Sequence, residues 1–143
     1  VYAGNIDASG NLNIGGSFSA NTLTGNVIHA NSQVEIGNTK IIQSEYTSST
    51  TSANQTIATF TQSGITGVEY LVKAVDATGS KYTVATVVAV TDGANVDYST
   101  FATVMIGGTT GTLSVNINGS NIDLQVTPAS SNTTNWVTQY RTI

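Results

Sequence analysis

Two patterns of apolar spacing divide this chain. From about Gln55 onward, apolar residues alternate with polar ones at period two, in runs of seven to eleven residues. Such alternation predicts half-buried β-strands, since successive side chains on a strand point to opposite faces. QTIATFTQ (55–62) sets Ile57 in opposite phase to Thr56 and Ala58. VEYLVKAV (68–75) places Val68, Tyr70, Val72 and Ala74 on one face. KYTVATVVAV (81–90) alternates Tyr82, Val84, Thr86, Val88 and Val90 against Thr83, Ala85, Val87 and Ala89, so both of its faces are suited to cover. VDYSTFATVMI (96–106) is long enough to expect a bend or bulge. TLSVNIN (112–118) turns Leu113, Val115 and Ile117 inward, and NIDLQVT (121–127) does the same with Ile122, Leu124 and Val126. NWVTQYRTI (135–143) is the last strand.

Turn chemistry lies between these runs. Asp76-Ala77-Thr78-Gly79, Asp92-Gly93, Gly107-Gly108 and Asn118-Gly119-Ser120-Asn121 supply residues that accept positive φ. Asn118-Gly119 is the strongest hairpin signal. The lone proline, Pro128, stands where a strand would end. No window carries a helical period. The expectation for 55–143 is an antiparallel β-sandwich.

The opening stretch differs. In residues 5–43, short apolar groups precede Gly or Asn: Leu12 and Ile14 before Gly15, Leu23 before Gly25, Val34 and Ile36 before Gly37. None of these segments can bury its apolar face alone, so they call for stacking on neighbours or on other copies. Leu12, Ile14, Phe18, Leu23, Val27, Val34 and Ile36 are the candidate packing residues of such a shaft. The expected organisation is a repeat-like β shaft over 1–43, a linker or edge strand over 44–54 and a β-domain over 55–143. The chain opens at Val1 rather than Met, which reads as a fragment of a longer polypeptide.

Composition narrows the function. Only 8% of the 143 residues are charged, against an average of about 25%. Thr, Ser and Asn make up more than a third of the chain, so its surface is wetted by hydroxyls and amides. Net charge is −4 with no basic stripe, which argues against nucleic-acid binding. Hydrophobic content of 39% and mean hydropathy of +0.05 place the chain outside the disordered class. The absence of cysteine excludes disulfides and thiolate metal sites. No apolar run is long enough for a membrane helix.

Chemistry-bearing residues are sparse. His29 is the only histidine and has no carboxylate beside it but Glu35, so a Ser-His-Asp arrangement is not indicated. The acidic residues Asp7, Glu35, Glu45, Glu69, Asp76, Asp92, Asp97 and Asp123 are scattered, with no pair set up for glycoside hydrolysis. Asp92-Gly93-Ala94-Asn95-Val96-Asp97 spaces oxygen ligands at intervals but lacks the closing Glu of a calcium loop, so it reads as a turn. Gly107-Gly108-Thr109-Thr110-Gly111 lacks the Lys and following helix of a phosphate cradle. No catalytic residue, metal or cofactor is expected. Tyr98, Phe101, Trp136 and Tyr140 are the aromatic candidates for a receptor or subunit contact, with core packing as the favoured alternative.

Residues 68–143 resemble a C-terminal domain of tailed-phage virion proteins, most of all those of phages of marine cyanobacteria. The resemblance rests on Lys81-Tyr82-Thr83-Val84, Thr91-Asp92-Gly93, Tyr98, Phe101-Ala102-Thr103, Leu113-Ser114-Val115, Gly119-Ser120-Asn121-Ile122, Val126-Thr127-Pro128-Ala129 and Arg141-Thr142. Thr91 stands where such proteins often carry His before the Asp-Gly turn, and Thr100-Phe101-Ala102-Thr103 where they often carry Glu-Tyr-Gly-Thr. Gly10-Asn11-Leu12-Asn13-Ile14-Gly15-Gly16 is similar to the repeats of phage fibre shafts. The resemblance implies an intertwined homotrimer with a jelly-roll-like terminal domain. Its expected role is that of a non-enzymatic virion structural protein, the end of a tail fibre, in contact with other virion proteins and with a host-surface glycan or protein. A monomeric carbohydrate-binding or adhesin module is the alternative, and a depolymerase is a third reading.

Overall fold

A computed structural model describes residue 30, residues 33–36 and residues 39–143. Among the described residues the secondary structure is all β, and every strand pairing is antiparallel. The strands are β1 (Gln33–Ile36), β2 (Thr39–Ser48), β3 (Gln55–Thr61), β4 (Gly67–Asp76), β5 (Lys81–Thr91), β6 (Val96–Ile106), β7 (Gly111–Asn118), β8 (Asn121–Pro128) and β9 (Thr134–Thr142). Each of the seven strands expected between residues 55 and 143 is present, with ends within about two residues. They form a six-stranded sheet, ordered β1-β2-β9-β4-β5-β6, and a three-stranded sheet, ordered β3-β8-β7.

The two sheets share one core. Its members are Ile57, Ala58 and Phe60 of β3, Val68, Tyr70, Val72 and Ala74 of β4, and Val87 and Ala89 of β5. Val115 of β7, Ile122, Leu124 and Val126 of β8, and Trp136 and Tyr140 of β9 complete it. Burying one large apolar side chain contributes about 1.5–3 kcal/mol, so this cluster is the main source of stability. β4 and β9 follow strict alternation because register Tyr70↔Tyr140, Val72↔Thr138 and Ala74↔Trp136 stacks their inward positions side by side. In β3 the alternation breaks. A bulge between Thr56 and Ala58 leaves both Ile57 and Ala58 buried.

Polar pins join the sheets where their edges approach. The Tyr140 hydroxyl donates to the Thr59 carbonyl at 2.9 Å, and the Ser44 hydroxyl donates to the Ile57 carbonyl at 2.8 Å. Within the large sheet, the buried Trp136 indole N–H donates to Ser48 Oγ at 2.9 Å.

The expected turns close the hairpins. Asn118 pairs with Asn121 across Gly119-Ser120. Only Gly119 has positive φ (61°) there, the pattern of a type II′ turn with Gly at its first central position. At 76–79 the positive φ falls instead on Ser80 (52°). The buried Asp76 carboxylate organises that turn by accepting from the Gly79 N–H at 2.7 Å. It also accepts from Ser130 Oγ at 3.1 Å and Asn132 Nδ2 at 3.0 Å, tying the β4–β5 turn to the segment before β9.

Residue 43, the expected end of the shaft, lies inside β2. Residues 39–42 pair with β1, while residues 41–48 pair with β9. Residues 43–48 therefore form an edge of the large sheet.

Candidate functional site

The register sorts the exposed side chains of the large sheet. On β5, Ala85, Val87 and Ala89 face the core, and Tyr82, Val84, Val88 and Val90 face away from it. Opposite them on β6, Tyr82 meets Ile106, Val84 meets Val104 and Thr86 meets Phe101. Leu71 of β4 lies opposite Thr86 on the other side. These residues form an apolar face, with Thr86 within it and Glu69, Lys73 and Asp97 beside it on the same side of the sheet. Val104 and Ile106 are 68% and 67% exposed, and Phe101 is 49% exposed. A groove of about 140 Å³ between Lys73, Val75, Tyr82, Val84, Val104 and Ile106 runs along it.

β6 is the outer strand of this sheet and is paired on one side only, with β5. It carries the bulge expected of it. The register slips between Val84 and Thr86, and Ala102 takes positive φ (51°) at that point. The slip keeps Phe101 and Val104 on the same face although they are three residues apart. Tyr98 lies opposite Ala89 and Met105 opposite Thr83, so both point to the core side. There they are 39% and 50% exposed, because the three-stranded sheet covers little of β6, where Val96 alone packs on the core.

The aromatic candidates thus separate. Tyr98 and Phe101 are exposed, on opposite faces of β6. Trp136 and Tyr140 are core residues, 2% and 6% exposed, because their inward phase on β9 places them against β3 and β8. Of the shaft candidates, Val34 and Ile36 lie on β1 and are exposed. Leu12, Ile14, Phe18, Leu23, Val27 and also His29 lie outside the described residues.

A second, more polar groove of about 260 Å³ lies on the same outer face, lined by Ile41, Glu69, Leu71, Thr86, Gln139 and Arg141. Arg141 Nε donates to Glu69 across the β9–β4 pair, an exposed ion pair. Such pairs contribute at most about 1 kcal/mol.

Each carboxylate among the described residues already has a partner within the chain. Glu35 meets Lys40 and Gln33, Glu45 accepts from Gln43, Glu69 from Arg141 and Asp97 from the Tyr98 N–H. Asp123, buried on β8, accepts from Thr59, Thr56 and Asn118. Asp92 accepts from the Ala94 N–H (2.9 Å), the Asn95 N–H (2.6 Å) and Asn95 Nδ2 (3.0 Å). Those bonds hold its carboxyl down at about 2, the Asn95 side chain being the largest cause. Its oxygens are spent on the turn. Asp76 is also held below the ordinary carboxylate range, first by the Gly79 N–H. Burial pushes the Tyr70 and Tyr140 hydroxyls up, with the neighbouring Tyr140 and Asp123 adding to the effect on Tyr70.

No protein-family model matches the chain, and no curated protein matches it. Among solved structures, the chain is similar to the tailspike protein of Acinetobacter phage vB_ApiP_P1, at 15% identity and a TM-score of 0.46, over 88% of this chain and 26% of that one. It is also similar to the tailspike protein gp49 of Acinetobacter baumannii bacteriophage Fri1, a capsular polysaccharide depolymerase, at 13% identity and a TM-score of 0.42. That match covers 77% of this chain and 19% of the tailspike. The chain therefore spans about a quarter or less of each tailspike. At these values the likeness assigns neither family nor activity.

Sequence reading found both faces of β5 suited to cover but passed over the continuation of the outer face onto β6. Its signals were the run Val87-Val88-Ala89-Val90, apolar in both phases, and the triplet Val104-Met105-Ile106.

Proposed function

We propose that this chain is a non-enzymatic structural component of a phage virion, the terminal part of a tail fibre or related appendage. The observation that carries the reading is the low-charge, all-β body with an apolar sheet face left open at β6. A unit built this way is suited to packing against other protein in a particle. The phage-like motifs between Lys81 and Thr142 support the same reading, and most of them stand in strands and hairpin turns that build this body. The two sheets read as a jelly-roll-like β-sandwich at the end of a shaft made by residues 1–43. In this reading three copies assemble, other virion proteins hold the appendage, and its tip contacts a host-surface glycan or protein. The cyanophage-like character belongs to the same proposal, as does a location on the virion.

We assign no hydrolytic role. The described carboxylates are engaged in turns, ion pairs and inter-strand bonds, so none stands ready as a general acid or base. The Glu69–Arg141 groove favours a second reading, a carbohydrate-binding module. Its Gln139, Glu69 and Arg141 side chains surround Leu71, and polar groups around an apolar floor suit a sugar.

Antibodies against this chain, applied to particles of the phage that encodes it and viewed by electron microscopy, test the proposal. Label at the end of a tail appendage is the expected result. Unlabelled intact particles would overturn it and leave the binding module, which a glycan array then checks.

A further inference from the structure

We infer that the outer face of β5 and β6 is a contact between copies of this chain, seated against a second copy. This inference shares with the proposed function only the premise that the chain assembles with itself. It places the contact in the β-domain rather than in residues 1–43.

Area is the first argument. Eight apolar side chains line the face: Leu71, Tyr82, Val84, Val88, Val90, Phe101, Val104 and Ile106. At their exposures they present on the order of 800 Å² in one patch, above the roughly 300–600 Å² of the largest patch on a typical monomer. A standard stable interface buries about 800 Å² on each partner. The face thus matches what one stable contact between folded copies requires.

The character of β6 is the second argument. It is exposed on both faces and unpaired along one edge, yet its only charged residue is Asp97, near one end. Edge strands of free monomers are blunted by Lys, by Pro, by short length or by bulges, and of these β6 has only the bulge at Ala102. β6 has eleven residues and neither residue type. Covering both of its faces takes an element that reaches around the edge, which a neighbouring folded copy provides.

Charge raises no objection. The eight patch residues carry no charge, and Lys73, Glu69 and Asp97 flank them on the same face with both signs.

The test is the mass of the full 143-residue chain by analytical ultracentrifugation over a range of concentrations, beside the double variant Val104→Lys/Ile106→Lys. The wild type is expected to sediment as a defined multiple of 14.7 kDa, and the double variant to associate about 100-fold more weakly. Val90→Lys, at the far end of β5 and 59% exposed, should act in the same direction if the double variant folds poorly. Gln43→Lys, exposed on β2 outside the patch, should leave the mass unchanged. An assembly whose mass survives both patch variants overturns the inference. So does a monomeric wild type. With β6 amides slow to exchange, the occupant becomes residues 1–29 of the same chain. With β6 amides fast, it becomes a different partner. Particle labelling and patch variants fail separately, so either reading can fall without the other.

Discussion

Gly107 shows how little freedom some single positions have. Its φ is +75°, and a Cβ built there would sit 2.3 Å from the Ser80 carbonyl oxygen. That oxygen is backbone and cannot swing aside. Gly107→Ala therefore combines a left-handed conformation with a clash, and should destabilise the fold by about 1–3 kcal/mol. Urea unfolding of the variant measures it, and an unchanged midpoint would contradict the geometry. The carboxylates of the β4–β5 and β5–β6 turns make a second case. Asp92 and Asp76 both titrate below their unfolded values, near 3.9 for a free Asp, with Asp92 at about 2. Groups depressed in this way contribute stability above the unfolded pKa and lose it as pH falls through the folded one. Stability should thus decline between about pH 4 and pH 2. Asp92→Asn should flatten that part of the profile.

Two tyrosines on adjacent strands separate packing from hydrogen bonding at the level of the sheets. Tyr140 and Tyr70 lie opposite each other in register and stack at 5.6 Å between ring centres. The Tyr140 hydroxyl reaches the Thr59 carbonyl and couples β9 to β3. The Tyr70 hydroxyl is fully buried and has no hydrogen-bond partner. Tyr140→Phe should therefore cost about 0.5–1.5 kcal/mol, whereas Tyr70→Phe should be neutral or stabilising because it removes an unsatisfied buried group. Thermal unfolding of the two variants side by side decides this, and equal losses would mean that Tyr70 has a partner in solution. The strands that carry these residues were readable in advance. Val68 to Ala74 alternates cleanly because one face is buried, and Ile122, Leu124 and Val126 keep the same period although Asp123 between them is also buried. At β3 the reading of alternation failed, since a bulge there turns two successive residues inward.

Across the whole molecule, the boundary of the folded body differs from the boundary of the sequence pattern. Removing residues 1–32 leaves every described strand in place and is the reference for a longer deletion. Removing residues 1–43 takes β1 and the first half of β2. It also takes Ile42, which packs on the core, and the Lys40 N–H bond to Thr142 Oγ1. That deletion should lower the midpoint measurably. If both deletions behave alike, β1 and the start of β2 add nothing to the body.

What the residues determined by themselves was local. Period-two alternation and turn residues set the existence and ends of β4, β5, β7, β8 and β9, and the inward faces of β4, β7 and β8, where only one face is apolar. Composition, with its net charge of −4 and no basic stripe, argued against nucleic-acid binding. Tertiary structure decided which faces were covered and by what. β5 has two apolar faces in sequence, but only Ala85, Val87 and Ala89 are buried within the chain. Trp136 and Tyr140 share one phase with core residues, while Tyr98 and Phe101 sit on β6, of which Val96 alone packs on the core. Pattern along a chain records which side chains avoid water. Whether the cover comes from the same chain or from another depends on sheet order and on the unequal widths of the two sheets, and those arise from contacts between residues far apart in sequence.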